Sequence, residues 1–221
     1  ELKLKVSVMS PSLAPTMSFV DPALMTGLPP QITASTGLDA FAHALEGLMG
    51  GLTRFCPSPM RDSFALTAIE LIVKSLIPAI KDGNNMQARS DMAYAAFLSI
   101  MGASSGLSMG HSVGHAISEV SNIHNHGFLC ASILPNNIEY MAEFIPDQLE
   151  KLARIFKVET KGKSTAEIGG EVKKAIKSFF RECKLPSLKE MGMTLSDIDE
   201  IVKHTTSGTW YVLAPKKPTE G

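Results

Sequence analysis

The sequence predicts a mainly α-helical fold, preceded by one short β-strand. Apolar side chains recur at helical spacing over most of the chain after residue 20, whereas residues 3–8 alternate weakly, as a strand does. Residues 92–138 contain a single charged side chain, that of Glu119, so most of this segment is expected to be buried. With 221 residues, 44% of them apolar, the chain can build a substantial core in one large domain or two small ones.

Breaker residues and helix caps set the predicted elements. Ser10 and Pro11 end the strand at 3–8. A helix is predicted to begin near Ser35 and to end at Gly50, because glycine ends helices. The next helix begins at Pro59 and runs to about residue 80. Further helices are predicted at 87–101, 112–120, 131–144, 147–156, 164–183 and 195–205, with loops at 28–30, 185–186 and 213–218.

Composition excludes several classes of function. Lys and Arg number 21 and Asp and Glu 22, a net charge of −1, which provides no basic surface for a nucleic-acid partner. Cys56, Cys130 and Cys183 are widely spaced and form no C-x-x-C motif, which favours free thiols in a reducing compartment. Glycines, serines and histidines interrupt the apolar segment 92–118, so it is not expected to span a membrane. No signal-peptide pattern opens the chain, and we expect a cytoplasmic protein.

A narrow polar stripe runs along the predicted helix at 35–49. Its strongly polar side chains, Asp39, His43 and Glu46, lie within about 60° of one another on a helical wheel, and the other faces are apolar. A buried carboxylate and imidazole need a partner, since an unpaired buried charge is costly. Two interpretations remain open: Asp39 accepts a hydrogen bond from His43, or both side chains bind a divalent metal.

Four of the six histidines, His111, His115, His124 and His126, fall within 16 residues of the charge-poor segment. Packing alone does not explain this density, and imidazole is a common ligand of zinc and iron, so we predict a metal site. A metallopeptidase is excluded because Ser112 follows His111, where that motif has a glutamate. A di-iron carboxylate bundle is excluded because the chain has no E-x-x-H motif.

Four motifs together point to a family: D-P-A-L-M-T-G-L-P-P at 21–30, T-A-S-T-G-L-D-A-F-A-H-A-L-E at 33–46, G-H-S-V-G-H-A-I-S at 110–118 and H-G-F-L-C-A-S-I-L-P at 126–135. On these motifs the chain resembles the iron-containing (group III) alcohol dehydrogenases. The resemblance implies the dehydroquinate synthase-like fold, in which an α/β nucleotide-binding domain precedes an all-helical metal-binding domain. It implies that residues 1–20 are the C-terminal remnant of the first domain. Residues 21–221 would then form the second domain without its last helix.

The resemblance also implies a ligand set for the metal. By motif position, Asp39 and His43 are the first two ligands and His111 the third. The fourth is the histidine before glycine, His126, although His124 two residues earlier is a competing imidazole.

Other residues receive roles from the same resemblance. His115 corresponds to a histidine that lies beside the nicotinamide without binding the metal, which makes it a candidate for proton relay. Lys5 occupies the place of a lysine that contacts the cofactor, with Lys3 as the alternative. Glu46 and Glu119 are expected to orient ligand imidazoles or cap helices rather than to bind metal.

The implied activity is NAD- or NADP-linked interconversion of an alcohol and an aldehyde or ketone, with Fe(II) or Zn(II) polarising the substrate oxygen. A glycerol, maleylacetate or hydroxyacid dehydrogenase of the same superfamily is one alternative. A helical domain that binds metal without catalysis is another, and a metal-dependent hydrolase, active without NAD(P), is a third. The expected partners are a small alcohol or aldehyde and a second copy of the chain in a dimer. Because the glycine-rich G-G-G-S motif of the first domain is absent, this chain alone is expected to be inactive.

Overall fold

A computed structural model describes residues 10–50, 57–212, 214 and 216, and this part of the chain contains helices and no β-strand. The predicted all-helical architecture is confirmed. The strand predicted at 3–8 lies outside the described residues, as do Lys3 and Lys5.

Ten α-helices make up the described fold. They are α1 (Pro30–Met49), α2 (Pro59–Lys81), α3 (Met86–Gly102), α4 (Met109–Ser121), α5 (His126–Ser132), α6 (Leu134–Met141), α7 (Pro146–Ile155), α8 (Thr165–Glu182), α9 (Ile198–Ser207) and α10 (Thr209–Val212). Short 3₁₀ turns at Pro11–Leu13, Pro22–Met25, Ala103–Ser105, Ala142–Phe144 and Leu195–Asp197 lie before or between them.

Helix α1 is the central element, and α2, α3 and α5 pack against it. Its apolar side chains Leu38, Phe41, Leu45 and Leu48 are fully buried. Phe41 contacts the rings of three phenylalanines from the second half of the chain, with centroids 5.4 to 6.2 Å away: Phe156, Phe179 and Phe180. Both halves of the chain therefore meet on α1, the helix that carries the predicted polar stripe.

A buried arginine holds the start of α1. The Arg89 side chain, on α3, is 1% exposed and donates to Thr33 Oγ1 at 2.8 Å, to the Gly83 carbonyl at 2.9 Å and to the Leu28 carbonyl at 3.2 Å. The guanidinium thus satisfies three acceptors that burial would otherwise leave unpaired. These hydrogen bonds fix the position of the start of α1 relative to α3.

A second cluster of polar side chains connects α2 with α3. The Asp91 carboxylate accepts hydrogen bonds from Ser75 Oγ at 2.6 Å, Gln87 Nε2 at 2.8 Å and Lys74 Nζ at 2.9 Å. Burial by itself raises the pKa of Asp91, but these hydrogen bonds outweigh it and hold the pKa below its usual 3.8. The carboxylate therefore stays charged and links the two helices.

Helix α2 is long and apolar enough to cross a membrane by length and composition, with a mean hydropathy of 1.7 over its most apolar 18 residues. In the structure it is a core helix, packed against α1 and α3. Its inward side chains Ala65, Ala68, Ile69, Ile72 and Leu76 are fully buried.

The observed helix ends differ most from the predicted ones in two places. Helix α1 begins at Pro30 rather than near Ser35, because proline fits the first turn of a helix, where no N–H is needed. The helix predicted at 131–144 is three elements: α5, α6 and a 3₁₀ turn. Pro135 lies in the first turn of α6, where its missing N–H interrupts the helix begun in α5.

Candidate metal centre

Three helices bring the predicted site together. Helix α1 contributes Asp39, His43 and Glu46 on the face toward α4 and α5. Asp39 and His43 are partly buried, and Glu46 is completely buried. The stripe predicted from helical spacing thus faces the histidine-rich segment.

Glu46 fixes the position of His111 at the start of α4. One carboxylate oxygen accepts hydrogen bonds from the backbone N–H groups of Gly110 and His111, and the other accepts from Nδ1 of the His111 ring. A carboxylate can only accept, so Nδ1 carries the proton and Nε2 is left with its lone pair free. Nε2 lies 3.8 Å from Oδ1 of Asp39.

His126 is the first residue of α5, and its side chain reaches the same carboxylate of Asp39. The preceding residue, Asn125, accepts a hydrogen bond from the Ser35 hydroxyl of α1. The following residue, Gly127, lies against α1 so closely that an added Cβ would be 2.0 Å from the Ser35 carbonyl oxygen. Glycine is therefore required for this approach, which places His126 Nε2 at 3.6 Å from Asp39 Oδ1.

The potential ligand atoms of Asp39, His111, His126 and Cys130 all lie within 4.8 Å of one another. Among them, Asp39 Oδ1 and His111 Nε2 are buried and have no hydrogen-bond partner among the described residues. Buried polar atoms are normally paired, and a cation between these atoms would satisfy both. With metal–ligand bonds of about 2.0–2.2 Å, a tetrahedral site separates its N and O donors by about 3.3–3.5 Å. The observed 3.6 and 3.8 Å are close to this spacing, so the residues fit a metal ion.

His43 lies beside this group rather than within it. Its ring stacks on that of His111, with centroids 4.8 Å apart and an angle of 16° between the planes. Burial lowers the pKa of His43 below its usual 6.5, the charge of Asp39 opposes this, and His111 lowers the pKa further. The net effect favours the neutral imidazole, which is the form that binds metal.

His115 lies one turn after His111 on α4. Its ring centroid is 5.2 Å from that of His126 and 6.2 Å from that of His111. His115 is partly exposed, whereas His111 is buried.

The other predicted residues lie elsewhere. His124 is exposed and outside the converging group. Glu119 accepts from His204 Nδ1 at 2.9 Å, so it orients a histidine of α9. Lys5 falls outside the described residues.

Sequence reasoning missed Cys130 as a member of the group. Cys130 follows His126 by four residues, which places the two on one face of a helix. That relationship was hidden because the helix was predicted to begin at residue 131, whereas α5 begins at His126.

The fold and the site define a helical domain with a carboxylate–imidazole group that fits a metal ion. The chain belongs to the iron-containing alcohol dehydrogenase family: the family model described as "Fe-containing alcohol dehydrogenase family, C-terminal" matches residues 33–221. The predicted resemblance is thereby confirmed.

Individual relatives agree with this assignment. The chain is 31% identical over 221 residues to alcohol dehydrogenase 4 of Saccharomyces cerevisiae, covering 100% of this chain and 56% of that protein. It is 30% identical over 206 residues to the NAD-dependent methanol dehydrogenase of Bacillus methanolicus, covering 91% and 52%. The solved alcohol dehydrogenase from Oenococcus oeni superposes with a TM-score of 0.82 at 32% identity, covering 90% and 51%. The chain spans about half the length of the relatives that it matches.

Proposed function

We propose that the whole protein is an NAD(P)-dependent alcohol dehydrogenase that interconverts a small alcohol with its aldehyde or ketone. The observation that carries the proposal is the convergence of Asp39 Oδ1 with Nε2 of His111 and of His126 in a largely buried centre. Two of these atoms lack a hydrogen-bond partner in the described protein. Membership of the family supports the reaction class.

Asp39, His43, His111 and His126 are the proposed metal ligands. Asp39, His111 and His126 already converge, and His43 lies against His111 with a neutral ring favoured. One carboxylate and neutral imidazoles suit Fe(II) and Zn(II), and the family name favours iron. When bound, such an ion supplies Lewis acidity toward the oxygen of an alcohol or carbonyl.

The side chains around the ion have their own proposed roles. Glu46 orients the His111 ring through its Nδ1–H. His115 accepts the hydroxyl proton of the substrate and passes it outward, a role that its partial exposure and its closeness to His126 support. The charge-poor helices α4 and α5 exclude water from the side of the centre that they cover.

NAD or NADP is the proposed hydride carrier, with Lys5 and His115 as candidate contacts. A relative 30% identical to this chain is an NAD-dependent methanol dehydrogenase, which supports a nicotinamide cofactor. The remainder of the proposal is a cytoplasmic homodimer that acts on a free small molecule, with no nucleic-acid or membrane partner.

The test is a spectrophotometric assay of the protein as it occurs in its host, with NAD or NADP and a panel of small alcohols. We expect reduced nicotinamide to form, the rate to fall on removal of metal with a chelator, and Fe(II) or Zn(II) to restore it. Metal uptake without nicotinamide reduction on any alcohol would instead identify a non-catalytic metal-binding domain. Metal-dependent hydrolysis of an ester or amide substrate without NAD(P) would identify a hydrolase.

A further inference from the structure

Ser35 extends the polar stripe of α1 by one turn toward the start of the helix. It precedes Asp39 by four residues, so the two side chains lie on the same face of α1. The residue is 7% exposed, and its hydroxyl donates a hydrogen bond to Oδ1 of Asn125, which is 90 residues away in the sequence. Because Asn125 directly precedes His126, this bond connects α1 to the start of α5.

Asn125 occupies the position before the first residue of α5, where an asparagine side chain usually caps the helix. Asn85 does this for α3, since its Oδ1 accepts a hydrogen bond from the backbone N–H of Ala88 at 3.0 Å. The side chain of Asn125 makes no capping bond to α5, and its Oδ1 accepts from Ser35 instead. A contact with α1 therefore takes the place of the usual local cap.

The backbone after His126 also lies close to this part of α1. A Cβ added to Gly127 would be 3.0 Å from Cβ of Asp39, in addition to its close approach to the Ser35 carbonyl. His126 falls between Asn125 and Gly127, and its Nε2 is 3.6 Å from Asp39 Oδ1. Its side chain is 31% exposed, so the surrounding atoms do not enclose it. The direction of the ring therefore depends on how the backbone on either side of it is held.

We propose that Ser35 and Asn125 are positioning residues that hold His126 toward the metal centre. The proposal rests on the proposed function, because it explains how one ligand of that centre is placed. Their hydrogen bond keeps the start of α5 against α1, so that Nε2 of His126 faces Asp39. Glu46 has the matching role for His111, and it acts from the other end of the same stripe.

The bond between Ser35 and Asn125 joins two neutral groups, and it acts on the metal through the backbone of His126. Loss of either side chain should therefore lower the affinity for a divalent ion by about 2- to 10-fold, the effect of one neutral hydrogen bond. Because both side chains act through one bond, replacing both should lower the affinity no further than replacing one.

The test is titration of the metal-stripped whole protein with Co(II), with a chelating dye as competitor. Ser35→Ala, Asn125→Ala and the double variant are compared with the wild type. The visible d–d bands of bound Co(II) depend on the arrangement of the ligands, so they should change in shape in all three variants. Urea unfolding of the metal-free forms establishes that each variant is folded under the conditions of the titration.

Asn85→Ala is the matched control for Asn125→Ala. It removes a true helix cap, so it should lower the free energy of unfolding. It should leave the Co(II) affinity and the visible bands as in the wild type. Thr36→Ala is the control for Ser35→Ala, because the Thr36 hydroxyl is exposed and donates to the Ile32 carbonyl within α1.

The outcomes separate the two proposals. Wild-type affinity in both Ser35→Ala and Asn125→Ala would overturn the positioning role and leave the proposed function standing. Two losses that multiply in the double variant would also overturn it, since the side chains would not act through a shared bond. An equal loss of affinity in Asn85→Ala would overturn it as well, because the effect would follow from stability alone. Failure of the wild type to bind Co(II) at all would overturn both proposals.

Discussion

The carboxylate of Glu46 accepts a hydrogen bond from Nδ1 of His111, and both side chains are almost completely excluded from solvent. The same carboxylate also receives the N–H groups of Gly110 and His111, so it caps the start of α4 and orients the ring with one group. Three N–H donors compensate its charge. The hydrogen bond from Nδ1 to Glu46 leaves His111 Nε2 available to a metal, so removing this carboxylate should weaken metal binding.

Replacing Glu46 with glutamine should lower the affinity for a divalent ion about 10- to 100-fold, the usual effect of removing the carboxylate that orients a ligand imidazole. The glutamine amide is nearly the same size as the carboxylate. Its oxygen is a weaker acceptor for the Nδ1–H group, and its N–H₂ group cannot accept a hydrogen bond from Nδ1 at all. Competition with a chelating dye measures the affinity. Glu139→Gln is the control, because Glu139 pairs with Lys173 at the surface. Equal affinities for the Glu46 and Glu139 variants would contradict the orienting role.

Gly127→Ala should destabilise the protein by about 1–3 kcal/mol or more, the cost of overpacking a close contact, and should lower metal affinity by displacing His126. The added methyl group would be 2.0 Å from the Ser35 carbonyl, and rigid backbone cannot yield as a side chain can. Gly27→Ala adds the same group where nothing lies within 4 Å. Urea unfolding of the two variants compares the costs. A Gly127 variant as stable as the Gly27 variant would show that α1 and α5 are not so close.

The hydrogen-bonded Asp91 carboxylate should contribute less to the free energy of unfolding in acid. Its pKa is lowered in the folded protein, so its contribution is complete above the unfolded value of 3.8 and is lost as the pH falls through the lower folded pKa. Asp91→Asn should cost about 1.5–3 kcal/mol at pH 7, typical of hydrogen bonds to a charged group. Once the pH is below the folded pKa of Asp91, the variant and the wild type should converge. Urea unfolding across this pH range measures the difference, and a constant difference would contradict the assignment.

His115→Ala should leave metal binding intact and slow alcohol oxidation about 10²- to 10⁴-fold, as expected for loss of a proton-transfer group. Metal content and turnover are measured on the same preparation, and the pH profile should lose the limb that reports the imidazole. Loss of metal together with activity would instead make His115 a ligand.

Helical spacing was enough to predict the stripe of Asp39, His43 and Glu46, because these residues lie inside one long helix whose other faces are apolar. Such predictions succeed where both residues belong to the same regular element, since the backbone fixes their relative directions.

The choice between His124 and His126 could not be made in this way. The two residues lie where a loop becomes α5, and the structure separates them through contacts distant in sequence: Asn125 with Ser35, and Gly127 with the backbone of α1. Cys130 was overlooked for the related reason that the start of α5 was predicted too late. Helix boundaries that depend on tertiary contacts carry little local signal.

The most direct test of the account is metal analysis of the wild type beside His126→Ala and His124→Ala, each purified with and without added Fe(II) or Zn(II). His126 Nε2 faces Asp39, whereas His124 is exposed. We predict about one divalent ion per chain in the wild type and in His124→Ala, and loss of the ion in His126→Ala. Loss of metal only in the His124 variant, or a wild type that binds none, would contradict the account.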